Sequence, residues 1–293
     1  MPAIPRCLEV LAAGPGATVQ DLGRPGFGEL GVGRSGAADL PSLRLANRLV
    51  GNPEGYAGVE VTFSGLRVRF SRVALIAVTG ADVAVTAGGR AEGMCAPVHV
   101  SAGHQVVLGP AGRGVRSYLA VRGGIDVAPV LGSRSTDTLA GLGPAPLEPG
   151  SVLPIGETPL GYPRVDLAPR PGHPGRPVLR VLPGPRQDWF TDDALAQLCH
   201  PGGYQVSAQS NRIGARLDGP MLARRESGEL PPEATVSGAL QVPPNGRPIL
   251  LLADHPVTGG YPVIAVVHAD DLPLAAQAPP GSRLRFRLDP HLR

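Results

Sequence analysis

Leu250–Val267 reads LLLADHPVTGGYPVIAVV. The aliphatic run Ile249–Ala253 is short and bounded by turn formers, which predicts a core strand rather than a helix. Asp254 and His255 then stand where that strand ends, a position that holds side chains to a fixed geometry. Thr258-Gly259-Gly260-Tyr261-Pro262 follow, and a second strand is predicted over Ile264–Val267. Gly259 and Gly260 let a backbone approach a ligand closely and present N–H groups with no Cβ in the way. The stretch therefore reads in one of two ways. It is a polar pocket lip between two buried strands, or a Gly-Gly hairpin turn in which Asp254 caps its own backbone.

The rest of the chain has the composition of turn-dense β structure. Gly 41 and Pro 34 together make about a quarter of the 293 residues while the apolar fraction stays at 42%, enough apolar content for a substantial core and too many breakers for long helices. The length allows two domains or one large β domain. Net charge is only +3 and the cations are interleaved with acids, so no nucleic-acid stripe emerges. Aromatics at 4% also disfavour base-stacking platforms. There is no lysine, and all 27 basic residues are arginine. That excludes a Walker A lysine, a Schiff base, a Ser-Lys centre and a biotinyl-lysine on this chain, and arginine is no substitute as a base because it stays protonated. Cys7, Cys95 and Cys199 are far apart and fit neither a disulfide framework nor a zinc site, which points to a reducing, cytoplasmic setting. The N-terminus lacks an apolar signal core and no apolar run approaches a membrane span, so neither processing nor a membrane partner is expected.

Period-two alternation marks half-buried strands over Leu66–Phe70 and Arg283–Leu288. Further strands are expected over Val73–Val78, Gln105–Leu108, Tyr118–Val121 and Val178–Leu182. Only two helices are expected. One is capped by Asp39 and ends at Gly51, with Leu43, Ala46, Leu49 and Val50 on one face; the other is capped by Thr191 and ends at Pro201-Gly202. The Pro/Gly-rich stretch 167–177 reads as a linker, dividing the chain into an N-terminal module over 1–166 and a C-terminal module over 178–293. The halves share faint echoes: LEVLAAGPG from Leu8 with LRVLPGPR from Leu179, and PVHVSAGHQVVLG from Pro97 with LAAQAPPGSRLRF from Leu274. Either two related β modules or chance similarity among turn patterns accounts for them.

Gly26 to Gly36 contains the G-x-G-x-x-G spacing, but no strand precedes it and no βαβ series follows, so a dinucleotide fold is rejected. The loop is either an anion cradle rich in polar neighbours (Gln20, Asp21, Arg24, Ser35, Asp39) or a loop packed on itself. Ser133, Arg134, Ser135 and Thr136 suit phosphate or carboxylate recognition with Arg134 as a bidentate clamp, or form a plain capping loop. Asn211 and Arg212 repeat this chemistry, or lie on a solvated arginine face. No histidine pair has metal spacing, and no G-x-S-x-G elbow exists. Asp82 is expected to end its strand, as Asp254 does, and the two carboxylates are candidates for a working pair or for two separate turn caps.

Taken together, TVQDLGRPGFGELGVGRSGAAD (Thr18–Asp39), ANRLVGNPEG (Ala46–Gly55), VTGAD (Val78–Asp82), YLAVRGGI (Tyr118–Ile125), GSRSTD (Gly132–Asp137), SNRIGARLDG (Ser210–Gly219) and LLADHPVTGGYP resemble the carboxyltransferase-related family that includes the C subunit of bacterial 5-oxoprolinase, the Kip-type antagonist of sporulation kinase and allophanate hydrolase subunit 2. The resemblance implies a mainly β protein of two cyclophilin-like β-barrel modules in tandem with few short helices. It also implies a heteromer with a B subunit of the same family, an A subunit as a further partner, and a cleft for a small amide or lactam. In the oxoprolinase version, ATP with magnesium would phosphorylate the lactam oxygen of 5-oxoproline so that water opens the ring to L-glutamate. Larger relatives carboxylate urea using biotin. This chain lacks those domains and every lysine, so that chemistry would need a biotin carrier in trans. A regulator of a sensor kinase is the non-enzymatic alternative.

On the leading expectation, Asp254, His255 and Asp82 do the chemistry. Arg24, Arg134 and Arg212 neutralise phosphate or carboxylate, assisted by Asp39, Ser133, Ser135, Thr136 and Asn211. Thr258, Gly259, Gly260 and Tyr261 form the lip, whose amides receive oxyanion charge. Asp82 or Asp254 would orient the lactam N–H or hold magnesium, and His255 would shuttle a proton.

Overall fold

A computed structural model describes residues 5–170, 172–226, 228 and 230–289. The protein is mainly β, and its contacts divide it into two units. One comprises the chain up to Arg24, Ser35–Asp137 and Gly141–Gly172; the other comprises Pro25–Arg34, Thr138–Ala140 and the chain from His173 onward. The division falls inside the Pro/Gly-rich stretch 167–177. The sequence boundaries need one correction, since residues 25–34 and 138–140, assigned by sequence to the N-terminal module, belong to the second unit. The reason is local. A Cβ at Gly33 would lie 3.2 Å from the His255 carbonyl oxygen, and Thr138 hydrogen-bonds Asp254.

The first unit is a nine-stranded sheet whose main path runs Gly16–Gln20, Gly58–Thr62, Gln105–Val121, Leu66–Phe70, Cys7–Ala13 and Val152–Pro154. Leu66, Val68 and Phe70 are buried while Arg67 and Arg69 face water, as the alternation requires. Gln105–Leu108 and Tyr118–Val121, expected as two strands, are the ends of one strand of 17 residues. Its partner Ala74–Ala87 runs past the expected stop at Asp82. The ladder is bulged around Asp82, with register shifts from Gly80 to Val85. Gly80 makes this possible: its φ is +87, and a Cβ there would come within 2.3 Å of the Arg116 carbonyl oxygen. A bulge of this kind bends a strand where a turn would end it. The helix Leu40–Leu49 packs Leu43, Ala46 and Leu49 into the same core as Ile76, Val78 and Leu119.

The second unit holds a closed seven-strand barrel in the order Val178–Pro183, Val263–Val267, Ala239–Gln241, Ile249–Leu251, Gly214–Asp218, Tyr204–Val206 and Arg283–Leu288. The last strand closes the ring by pairing parallel to the first, which leaves no open edge. Leu179, Val181, Leu240, Leu250, Ile264, Leu284 and Phe286 fill it. A two-stranded ribbon, Glu233–Ala234 with Thr258–Gly259, is attached outside the ring. The helix expected from Thr191 is shorter, Ala194–Leu198, because the Thr191 hydroxyl turns to the Ala223 carbonyl rather than capping. A helix not expected, Leu272–Ala276, occupies the start of the second echo, so Leu274 begins no strand matching Pro97. Among the described residues no helix is long and apolar enough to cross a membrane.

Candidate functional site

The strand predicted over Ile249–Ala253 stops at Leu251, but backbone pairing continues beyond it. The Leu252 amide donates to the Ile213 carbonyl and the Asp254 amide to the Arg212 carbonyl. This continuation brings two candidates named by sequence side by side. Arg212 donates through Nε to Asp254 Oδ2 and through Nη2 to Oδ1, both at 2.9 Å. Thr138 adds its amide (3.0 Å) and hydroxyl (2.7 Å) to Oδ2. Asp254 is 1% exposed and Arg212 7%, so the pair is a buried fork-to-carboxylate bridge. Both carboxylate oxygens are committed to protein donors, and the Arg212 charge is met by Asp254. Asp254, expected as a magnesium ligand, and Arg212, expected as an anion clamp, here neutralise and hold each other.

His255 leaves this bridge on the next residue. Its Nδ1 lies 2.7 Å from the Pro256 carbonyl oxygen and 3.2 Å from Thr235 Oγ1. A carbonyl only accepts, so the Pro256 contact favours a proton on Nδ1, which in the neutral ring leaves the lone pair on Nε2. No hydrogen bond is made by Nε2 among the described residues. His255 thus sits on a strand-anchored loop beside a buried ion pair, with Nδ1 turned to protein partners.

The lip beyond it is built differently from the sequence reading. Thr258 and Gly259 form the short ribbon with Glu233–Ala234, and Thr258 is exposed while Gly259, Gly260 and Tyr261 are half-buried. Neither glycine has a positive φ. A Cβ on Gly259 would meet the Gln241 amide nitrogen at 2.5 Å, and one on Gly260 the Leu230 carbonyl oxygen at 3.0 Å. Close internal packing is a sufficient reason for both glycines. Gln241 also donates to the Tyr261 carbonyl. Asn211 spends its side-chain oxygen on the amides of Ile213 and Gly214, a turn cap.

The candidates in the first unit form a separate buried network. Asp21 Oδ1 accepts from Ser133 Oγ (2.6 Å), Ser135 Oγ (2.5 Å) and the Gly23 amide, and Oδ2 from the Arg134 amide. Ser135 Oγ in turn receives the Asp21 amide. Arg24, 1% exposed, donates to the Ser135 carbonyl and lies 3.8 Å from Asp137. Thr136 is buried and its hydroxyl donates to the Pro144 carbonyl. Arg134 pairs with Asp126 at 2.6 Å. The hydroxyls and guanidinium read as an anion clamp are thus turned to protein partners, with the two serines aimed at Asp21. The glycine loop also closes on itself, with Leu30 and Val32 amides both donating to Phe27 O. Asp21→Ala is expected to leave several buried donors unmet, each costing about 1–3 kcal/mol, and to lower the thermal midpoint followed by circular dichroism. An unchanged midpoint would count against this network as a structural centre.

Asp39 is a helix cap: Oδ1 takes the Ser42 amide and Oδ2 the Ser42 hydroxyl. The Asp39 amide donates to Tyr118 Oη, which donates to Glu60 at 2.8 Å. Burial and the neighbouring Glu60 and Asp39 carboxylates push the Tyr118 hydroxyl well above its ordinary pKa, so it stays a neutral donor. Asp82 is half-buried in the bulged ladder of the first unit, opposite Arg113; it belongs to a different unit from Asp254. Among the described residues no group of three or more His, Cys, Asp or Glu side chains could hold a metal ion. Sequence reasoning missed Thr138, Thr235, Tyr118 and Glu60. Thr138 adjoins the GSRSTD motif, the one local signal available, whereas the others act across long separations.

The carboxyltransferase domain model, subdomain A and B, matches residues 30–288. The C subunit of Escherichia coli 5-oxoprolinase is 39% identical over 95% of this chain and 90% of that protein. Lachancea kluyveri urea amidolyase is 33% identical over 96% of this chain, which corresponds to 17% of the amidolyase. Among solved structures, TTHA0988 matches with a TM-score of 0.87 and 38% identity, over 98% of this chain and 57% of that one. The K. lactis urea amidolyase matches with a TM-score of 0.89 and 30% identity over 98% of this chain and 19% of its own. The relatives thus include one component of a multi-component enzyme and domains of larger enzymes, and this chain belongs to the carboxyltransferase domain family, subdomains A and B.

Proposed function

We propose that the protein is the C subunit of an ATP-dependent 5-oxoprolinase, opening the lactam of 5-oxoproline to L-glutamate together with A and B subunits in the cytoplasm. The observation carrying this reading is the 39% identity to the C subunit of E. coli 5-oxoprolinase, which extends over 90% of that protein. Under this reading His255 is the proton-transfer group, acting at Nε2, and the Arg212–Asp254–Thr138 bridge fixes the loop that bears it. Among the described residues no group of three or more His, Cys, Asp or Glu side chains could hold a metal ion, and both oxygens of Asp254 are engaged by protein donors.

The test is reconstitution. The chain purified with its A and B subunits is expected to release glutamate only when both ATP and 5-oxoproline are present, to fail when this chain is omitted, and to ignore avidin. A second reading, carboxyl transfer to urea or a related amide with a biotin carrier in trans, is favoured by the urea amidolyase matches. Avidin-sensitive, bicarbonate-dependent turnover of urea, with none of 5-oxoproline, would establish that reading instead.

A further inference from the structure

We propose that Thr235 is a positioning residue for His255, holding the imidazole as the Nδ1–H tautomer so that Nε2 is its basic nitrogen. Thr235 Oγ1 donates its single proton to the Pro256 carbonyl, so toward Nδ1, 3.2 Å away, it offers only lone pairs. The Nδ1–H accordingly meets two acceptors, the Pro256 carbonyl at 2.7 Å and the Thr235 hydroxyl. A ring protonated on Nε2 alone would set the Nδ1 lone pair against both.

Thr235 is itself held from three sides. Its amide donates to the Val257 carbonyl at 2.9 Å. The ribbon pairing Glu233 with Gly259 and Ala234 with Thr258 precedes it directly. Arg186 grips Glu233 through Nε and Nη2, a forked pair that fixes the strand end. The Pro256 carbonyl, one peptide from the ring it binds, is thus tied through Thr235 to a rigid ribbon. This arrangement accounts for the presence of a two-residue ladder outside the barrel: it delivers a hydroxyl to the Nδ1 side of His255.

The catalytic consequence rests on His255 being the proton-transfer group proposed above, but the tautomer does not, and it is measured on the full chain without partners or substrate. With the chain labelled with 15N-histidine, the His255 signals are identified by their absence in His255→Gln. Long-range 1H–15N spectra are expected to show Nδ1 protonated and Nε2 unprotonated at a pH where the ring is neutral. Thr235→Val, which keeps the shape and removes the hydroxyl, is expected to raise the Nε2–H fraction about two- to tenfold, the equilibrium equivalent of one ordinary hydrogen bond. Thr235→Ser is expected to restore the original pattern. An Nε2–H ring in the parent protein, or a Thr235→Val spectrum identical to it, would overturn the proposal. Should Thr235→Val not fold, the parent spectrum together with Thr235→Ser still decides, since a serine variant that loses the Nδ1–H signal overturns it as well. An inactive complex with an intact Nδ1–H tautomer would refute the oxoprolinase reading alone.

Discussion

Arg212→Ala is expected to lower the stability of the second unit by about 3–5 kcal/mol, the cost of leaving a buried charge without its partner. Asp254 is 1% exposed and loses two charge-assisted hydrogen bonds in that variant, one on each oxygen. The Thr138 amide and hydroxyl then face a carboxylate that has neither its counter-charge nor access to water. Asp254→Ala is expected to be comparably damaging from the other side, since a nearly buried guanidinium then lacks its counter-charge. Replacing both, Arg212→Met with Asp254→Leu, is expected to recover much of the loss, because the desolvation of two ions disappears along with their attraction. Trp189 is the only tryptophan of the chain and packs against the core of the second unit, so its fluorescence in a denaturant titration reports this unit's unfolding. If Arg212→Ala and the double replacement shifted the midpoint equally, the bridge would be a surface-like pair of small value.

The bridge also marks where the sequence could and could not be read. Leu66–Phe70 and Arg283–Leu288 were legible because alternation with arginine is a local signal, and a strand with one wet face carries it residue by residue. The Asp39 cap was legible for the same reason, as its partner Ser42 is three residues away. Asp82 was misplaced because a bulge at Gly80 and a turn at Gly80 look alike in one strand; the distinction lies in Arg116 and Arg113 of the partner strand. Arg212 and Asp254 were both named as candidates, yet their mutual neutralisation joins positions 42 apart, and the Thr138 contact joins positions 116 apart. Residue type showed that charges were present without showing that they cancel. Gly259 and Gly260 illustrate the same limit: absence of a Cβ signals that something comes close, and here what comes close is Gln241 and Leu230.

The largest loss of activity is expected from His255. In the reconstituted complex, His255→Gln is expected to reduce kcat for glutamate formation by about 10²–10⁴-fold, the usual contribution of a placed proton-transfer group. Glutamine places an amide near the former Nε2 but has no proton-acceptor lone pair of comparable basicity. His255→Asn keeps an amide near the former Nδ1, where it can donate to the Pro256 carbonyl, and is expected to lose as much rate while remaining closer to the parent in stability. The folding cost of either change is expected to be modest, about 1 kcal/mol, because the hydrogen bonds at stake are those of Nδ1. Arg212→Ala provides the contrast: there the stability loss comes first, and any loss of rate should be partly recovered by lowering the temperature. A fall in kcat with KM nearly unchanged would place the lost interaction in the transition state. Rates for both His255 variants within about threefold of the parent, in complexes shown to be assembled, lie well below the contribution of a placed acid–base group; they would remove His255 from the chemistry and leave it a loop anchor beside the Arg212–Asp254 bridge.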